Sequence, residues 1–263
     1  MNEELLIGTS PDGVLRLTMN RPAVHNAFDD AQVQRLLAAL DQATTDDSVR
    51  IVVIASVGGS FSAGADINYM RRMGGNTHEQ NLADSRRIAL LMKTLNFLPK
   101  PTIARVQGAA MGGGVGLVSC CDFAIGTPRT RIALSEVRLG LAPATIAPYV
   151  VNTVGEKAAR QLFLHGGTID ARTASHLGFL YDVVEEDQLD ARIDALISAL
   201  LMGSPAGTRA AKKLAIDVSR ERINEGMIEE TVRLLAELRG SDEGKEGLSA
   251  FLEKRTARWV IDR

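Results

Sequence analysis

"GAAMGGGVGLVSCCD", Gly108 through Asp122, is the stretch on which the reading of this chain turns. Three consecutive glycines stand inside a run that is otherwise apolar. Glycine loses more backbone freedom on folding than any other residue, so it weakens a helix or strand by roughly 0.5–1 kcal/mol relative to alanine. The flanking Ala, Val, Leu and Met residues are too apolar for a flexible linker. Such a composition marks a place where something approaches the backbone too closely for a side chain.

Two familiar glycine motifs fail here. The dinucleotide pattern G-x-G-x-x-G breaks at Leu117, and no Gly-Lys-Ser/Thr follows to make a phosphate loop. A nucleophile elbow needs G-x-S-x-G, which neither this stretch nor Gly59–Gly64 supplies. Two readings stay open. One is tight packing of a helix on a strand. The other is an oxyanion site, in which the first N–H groups of a helix starting near Gly112 lack helical partners and meet developing negative charge. In that second reading glycine clears the way for a carbonyl oxygen to come within about 3 Å. A second donor then has to come from another loop, and "FSAGADI", Phe61–Ile67, is the natural source.

Around this stretch the chain alternates. Gly13–Asn20 reads as a strand, and Asp29 or Asp30 caps a helix through Val33, Leu36, Leu37 and Leu40. Ile51–Ser56 reads as a strand buried on both faces, followed by a glycine-rich loop, Val57–Asp66. A long amphipathic helix spans about Asn81–Leu98, and strands are expected at Thr102–Gln107, Asp122–Ile125 and Ile132–Leu134. This order gives α/β architecture with at least one mostly parallel sheet. Beyond about Val184 the signals are helical, over Leu189–Leu201, Thr208–Val218, Asn224–Leu238 and Gly244–Trp259. A core over residues 1–200 and a helical C-terminal region over 201–263 are therefore expected.

Composition narrows the function. The chain has 263 residues, 45% hydrophobic and 24% charged, with 30 Lys+Arg against 32 Asp+Glu for a net charge of −2. That balance gives no reason to expect a nucleic acid or an anionic membrane as partner. The start lacks the basic and apolar segments of a signal peptide, and no apolar run approaches the roughly 20 residues of a membrane span. Cys120 and Cys121 are adjacent, a poor disulfide framework. A reduced, cytoplasmic setting is expected. The histidines His25, His78, His165 and His176 show no metal-ligand spacing, so no metal is expected.

Four motifs in register carry a resemblance. "NRPAVHNAF" (Asn20–Phe28), "FSAGADI", "GAAMGGGVGL" and "LSEVRLGL" (Leu134–Leu141) together resemble the enoyl-CoA hydratase/isomerase, or crotonase, superfamily, from about Gly13 to "EGLSAFLEKR" (Glu246–Arg255). The resemblance implies a crotonase-like spiral of ββα units with a helical C-terminal region, assembled as a homotrimer or dimer of trimers. It implies an acyl-CoA thioester substrate, no permanently bound cofactor, and a place in fatty-acid or branched-chain amino-acid breakdown. The oxyanion donors it implies are the main-chain N–H groups of Ala65 and Gly113. Ala23, Val24, Ala63, Asp66 and Ile67 would line the bend of the CoA, and Phe251 and Lys254 would reach a neighbouring subunit's CoA.

The acid–base machinery departs from the superfamily's pattern. Glu136 keeps the later of two glutamates, whereas the position of the earlier one is Gly116. One carboxylate suffices to move a proton between C2 and C4 of an enoyl thioester, which leans towards an isomerase. "APATIAPYV" (Ala142–Val150) leans the other way: with "GGGVGLVSCCD" it resembles bacterial hydratases of the methylglutaconyl-CoA type, which take branched, carboxylated acyl chains. Gly112, Gly116, Arg138 and Thr145 are expected in the acyl pocket, with Ile146 reshaping it. Arg138, Arg71 and Arg72 are alternative partners for an added carboxylate. Hydration of an enoyl-CoA is the expected reaction, with isomerisation or non-catalytic acyl-CoA binding as alternatives.

Overall fold

The computed structural model describes residues 3–219 and 222–261. The chain begins with β1 (Leu5–Thr9), β2 (Val14–Met19) and α1 (Asp30–Thr45), then β3 (Ile51–Ser56), β4 (Ser60–Ser62), α2 (Ile67–Met73) and α3 (His78–Asn96). It continues through β5 (Thr102–Val106), β6 (Ala109–Met111), α4 (Gly113–Cys120), β7 (Phe123–Gly126), β8 (Arg131–Ala133) and α5 (Ala147–His165). β9 (Thr168–Asp170), α6 (Ala171–His176) and β10 (Asp182–Val183) precede four helices, α7 (Leu189–Leu201), α8 (Pro205–Val218), α9 (Glu225–Gly240) and α10 (Asp242–Leu252).

The strands fall into two sheets, a six-stranded one ordered β1-β2-β3-β5-β7-β10 and a four-stranded one ordered β4-β6-β8-β9. Consecutive strands alternate between them: β3, β5 and β7 join the larger sheet, while β4, β6 and β8 join the smaller. Each turn of the chain thus lays one strand in each sheet before a helix returns it, which makes a spiral of ββα units. Pairing is parallel throughout, save for β1 on β2 and β9 on β8.

β3 shows why the larger sheet holds. Every residue of Ile-Val-Val-Ile-Ala-Ser is buried. Its side chains alternate between two faces. Ile51 and Val53 pack with Leu189, Ile193 and Ile197 of α7, whereas Val52 and Ile54 enter the main core with Leu36 and Leu40 of α1. Asp29 caps α1, accepting from Gln32 N at 2.8 Å, as its position before the apolar periodicity led one to expect.

Several expectations are corrected. The loop expected over Val57–Asp66 contains β4, and β6 interrupts the glycine-rich stretch. The helix expected from about Asn81 starts at His78, because Thr77 and Gln80 form a capping box. α5 carries Gly155 at φ +78° inside it, which hides it from a periodicity search. The last helix stops at Leu252 rather than Trp259; the Trp259 indole folds back, donating to the Met202 carbonyl at 3.0 Å.

The C-terminal helices attach through polar links. Arg50, ahead of β3, donates to the carbonyls of Gly203 at 2.8 Å, Trp259 at 3.1 Å and Leu201 at 3.4 Å. Lys212 pairs with Asp122 at 2.7 Å. α8 and α9 bury no residue, and α10 buries only Glu246 and Ala250.

Gly108 marks the tightest approach between the two sheets' connections: a methyl group there would lie 2.0 Å from the Gly59 carbonyl oxygen. The β5–β6 turn therefore runs directly over the β3–β4 turn. Gly108→Ala should destabilise the fold by about 1–3 kcal/mol through forced backbone displacement. A urea unfolding curve measures this, and an unchanged midpoint would contradict the contact.

Candidate active site

The smaller sheet gathers the site. β4 pairs with β6 and β6 with β8, all parallel, with Ser62 opposite Ala110 and Met111 opposite Ala133. Parallel strands end at the same edge, and in α/β proteins that carboxyl edge is where ligands bind. Ala65 lies just beyond β4, Gly113 just beyond β6 and Glu136 just beyond β8. Packing distances confirm that these three turns meet. A methyl on Gly64 would lie 3.1 Å from the Met111 carbonyl oxygen, and one on Gly112 would lie 3.2 Å from Glu136 Oε1 and 3.9 Å from Gly64 Cα.

The main chain leaves two N–H groups open there. Phe28 forms an isolated parallel bridge with Ala65, its N–H donating to Gly64 O at 2.6 Å and its carbonyl accepting from Asp66 N at 2.8 Å. Such a bridge turns the N–H of Ala65 itself away from Phe28. Gly113 opens α4, where the first N–H groups have no helical acceptor, and Gly112 supplies no side-chain cap. Neither N–H has an acceptor among the described residues.

The glycines divide their work. A methyl on Gly113 would lie 2.8 Å from the Phe28 ring, and one on Gly114 would lie 2.9 Å from Ser62 Cβ. Both are glycine because the protein packs against them. The one glycine whose missing side chain faces the carboxylate is Gly112, which also adopts φ +48°.

Glu136 starts a 3-10 turn, Glu136–Leu139, and is half-buried. Its Oε2 is buried without a hydrogen-bond partner among the described residues. Burial raises its pKa above the ordinary 4.5, a hydrogen bond with its own backbone opposing the shift. Further along α4, Gly116 is walled off: a methyl there would lie 2.4 Å from Ile146 Cγ2 and 3.0 Å from Met92 Cε. Of the acyl-pocket expectations, Ile146 is buried against Gly116, and Thr145 beside it is half-buried. Arg138 shares the turn of Glu136 but is exposed, its Nε 3.4 Å from where a Gly166 methyl would sit. Arg72 is taken by Asp30 at 3.0 Å, and Arg71 by Asn68 at 3.2 Å.

Ala23 and Val24 form an exposed turn, and Ala63, Ala65 and Ile67 are exposed beside it, Ala63 N donating to His25 O at 2.9 Å. Together they make an open apolar lip. Asp66 lies between Ala65 and Ile67 with its carboxylate buried, capping α2 through Asn68 N at 2.8 Å and meeting Arg21 at 3.2 Å. Those contacts hold its pKa down against burial. Phe251 and Lys254 are exposed at the end of α10, which packs on α8 and α9. The sequence reading assigned nothing to Met92 or Phe28. Both earn their place through partners far away in the chain, which no local pattern signals.

Comparison with known proteins identifies the family. The family model for enoyl-CoA hydratase/isomerase matches residues 9–261. The chain is 34% identical to the 2,3-dehydroadipyl-CoA hydratase of Escherichia coli, over 95% of this chain and 96% of that one. It is 32% identical to the trans-2-decenoyl-acyl-carrier-protein isomerase of Streptococcus mutans, over 95% of each. The crystal structure of an enoyl-CoA hydratase from Shewanella pealeana superposes with a TM-score of 0.94 at 40% identity, covering 98% of this chain and 96% of that one. With the two-sheet spiral and motifs spread along its length, the chain belongs to the enoyl-CoA hydratase/isomerase family.

Proposed function

We propose that this protein is an enoyl-CoA hydratase acting on a short or branched 2-enoyl-CoA. The observation that carries the reading is the meeting, at one sheet edge, of two acceptor-free N–H groups with one half-buried carboxylate. Ala65 and Gly113 donate to the thioester oxygen, which gains charge as the enolate forms. Their positions are set by the backbone, so they need no reorganisation during the reaction. Ionised Glu136 takes a proton from water as its oxygen bonds to C3; the protonated carboxyl then returns a proton to C2, and the enolate collapses. Proton transfer and carbonyl polarisation need no metal or redox cofactor, and CoA enters and leaves as part of the substrate.

Other parts of the molecule support the finer reading. The lip of Ala23, Val24, Ala63 and Ile67 offers apolar main-chain-rich surface to the CoA, with Asp66 fixing its shape from below. Arg138, on the same turn as Glu136, and Thr145 favour a branched acyl chain carrying a carboxylate, of the methylglutaconyl type. The apolar residues that α8–α10 leave exposed, among them Ile228, Val232, Leu235, Leu248, Phe251 and Leu252, favour a homotrimer or dimer of trimers. In it Phe251 and Lys254 would approach a neighbour's CoA. No helix among the described residues is long and apolar enough to cross a membrane, and both cysteines are free, in keeping with a cytoplasmic setting.

One observation favours isomerisation. Ile146 and Met92 close the α4 wall at Gly116, so no carboxylate stands there. Glu136 alone could take a proton from C2 and return it to C4. Absorbance separates the readings: loss of the conjugated 2-enoyl band on adding enzyme is expected for hydration, and its appearance from a 3-enoyl-CoA would establish isomerisation. Binding of CoA thioesters with neither change would leave an acyl-CoA-binding protein.

Glu136→Gln should lower kcat by roughly 10²–10⁴ while leaving thioester affinity nearly intact. Unchanged turnover would remove Glu136 from the reaction. Because the ionised form is the base, kcat/KM should fall as pH drops through the raised pKa, placing the acid limb above 4.5. The same shift has a stability consequence. A carboxyl with a folded pKa above its unfolded value stabilises the fold when protonated, and that contribution is lost as pH rises through the folded pKa. At neutral pH, Glu136→Gln should therefore raise the Tm.

A further inference from the structure

We propose that Phe28 is a positioning residue that sets the gap between the two oxyanion donors, its main chain holding Ala65 and its ring holding Gly113. This rests on the oxyanion reading of Ala65 and Gly113. Phe28 N donates to Gly64 O at 2.6 Å and its carbonyl accepts from Asp66 N at 2.8 Å, so the Ala65 peptide is held from both sides. The ring of the same residue lies where a Gly113 side chain would be, 2.8 Å from that methyl position. One residue therefore touches both turns, which come from different strands.

Phe28 is itself anchored. It is 6% exposed, and its neighbours are held by the guanidinium of Arg21, which donates to Ala27 O at 2.7 Å and pairs with Asp29 at 2.9 Å and Asp66 at 3.2 Å. Asp29 caps α1 and Asp66 caps α2. Two helix starts and the Ala65 turn are thereby referred to one cation, with Phe28 between them. Displacing a catalytic group by about 1 Å can cost roughly 10²-fold in rate, so small drift of Gly113 matters.

The test uses the full-length protein and a push–pull aminocinnamoyl-CoA, whose absorbance moves to the red when its thioester carbonyl is polarised. Wild type should give a red shift on binding; absence of any shift would overturn the oxyanion reading, and this inference with it. Given that shift, Phe28→Ala should lose most of it and lower kcat by about 10–10²-fold, with KM changed by less than about threefold. Phe28→Leu, which keeps the site apolar, should lose part of both and serves where the alanine variant fails to fold. Gly113→Ala should impair the shift by colliding with the ring, and adding Phe28→Ala or Phe28→Leu should recover part of it. Leu40→Ala, in the core of α1, should lower the Tm without moving the spectrum. The inference is overturned if the Phe28 variants lower the Tm yet keep the wild-type red shift and kcat, or if neither substitution at Phe28 relieves Gly113→Ala.

Discussion

Contact between bare main chains governs this molecule. The β5–β6 turn crosses the β3–β4 turn at Gly108, with no room for a methyl group beneath the Gly59 carbonyl. Further on, Gly114 lies on Ser62 and Gly64 on Met111. Only with those side chains absent can β4, β6 and β8 stand in one short parallel sheet. Their loops then arrive at a common edge, where the turns carrying Ala65, Gly113 and Glu136 meet. Fold and site are consequences of one steric condition, which is why the glycines are spread over both turns.

The motifs named the turns of Ala65, Gly113 and Glu136 from the sequence; the short strands and packing partners that bring those turns together were not legible there. Glu136 announces itself by type and by its motif. The main strand β3 does so too, because a strand buried on both faces is apolar at every position. β4 and β6 are invisible by comparison: each is three residues long and exists through pairing, not through propensity. Asp66 sits in a recognisable motif, yet its role as the cap of α2 becomes apparent only once the helix is seen. The reason for Gly113 lies in the Phe28 ring, at a distance in the chain that pattern reading does not span.

Around Glu136 the electrostatics follow from what its neighbours lack. No cation or donor among the described residues answers Oε2, and only a hydrogen bond with its own backbone opposes the burial that raises the Glu136 pKa. Asp66 is buried more deeply yet shifts the other way, because two peptide N–H groups and Arg21 answer its charge. The contrast comes from what answers each charge: burial disfavours the ionised form of Glu136, whereas donors and Arg21 favour that of Asp66. Ile146 and Met92 close α4 at Gly116 with apolar atoms.

The Arg50 clasp carries a consequence for how the parts of the molecule come undone. The strands and α1 are fastened by buried hydrocarbon, which dissolved ions scarcely affect. The last helices are fastened largely by a guanidinium on three carbonyls and by Lys212 on Asp122. Both links are part-buried, so dissolved ions screen them little. Urea, which competes for peptide carbonyls, would accordingly loosen the join between body and tail.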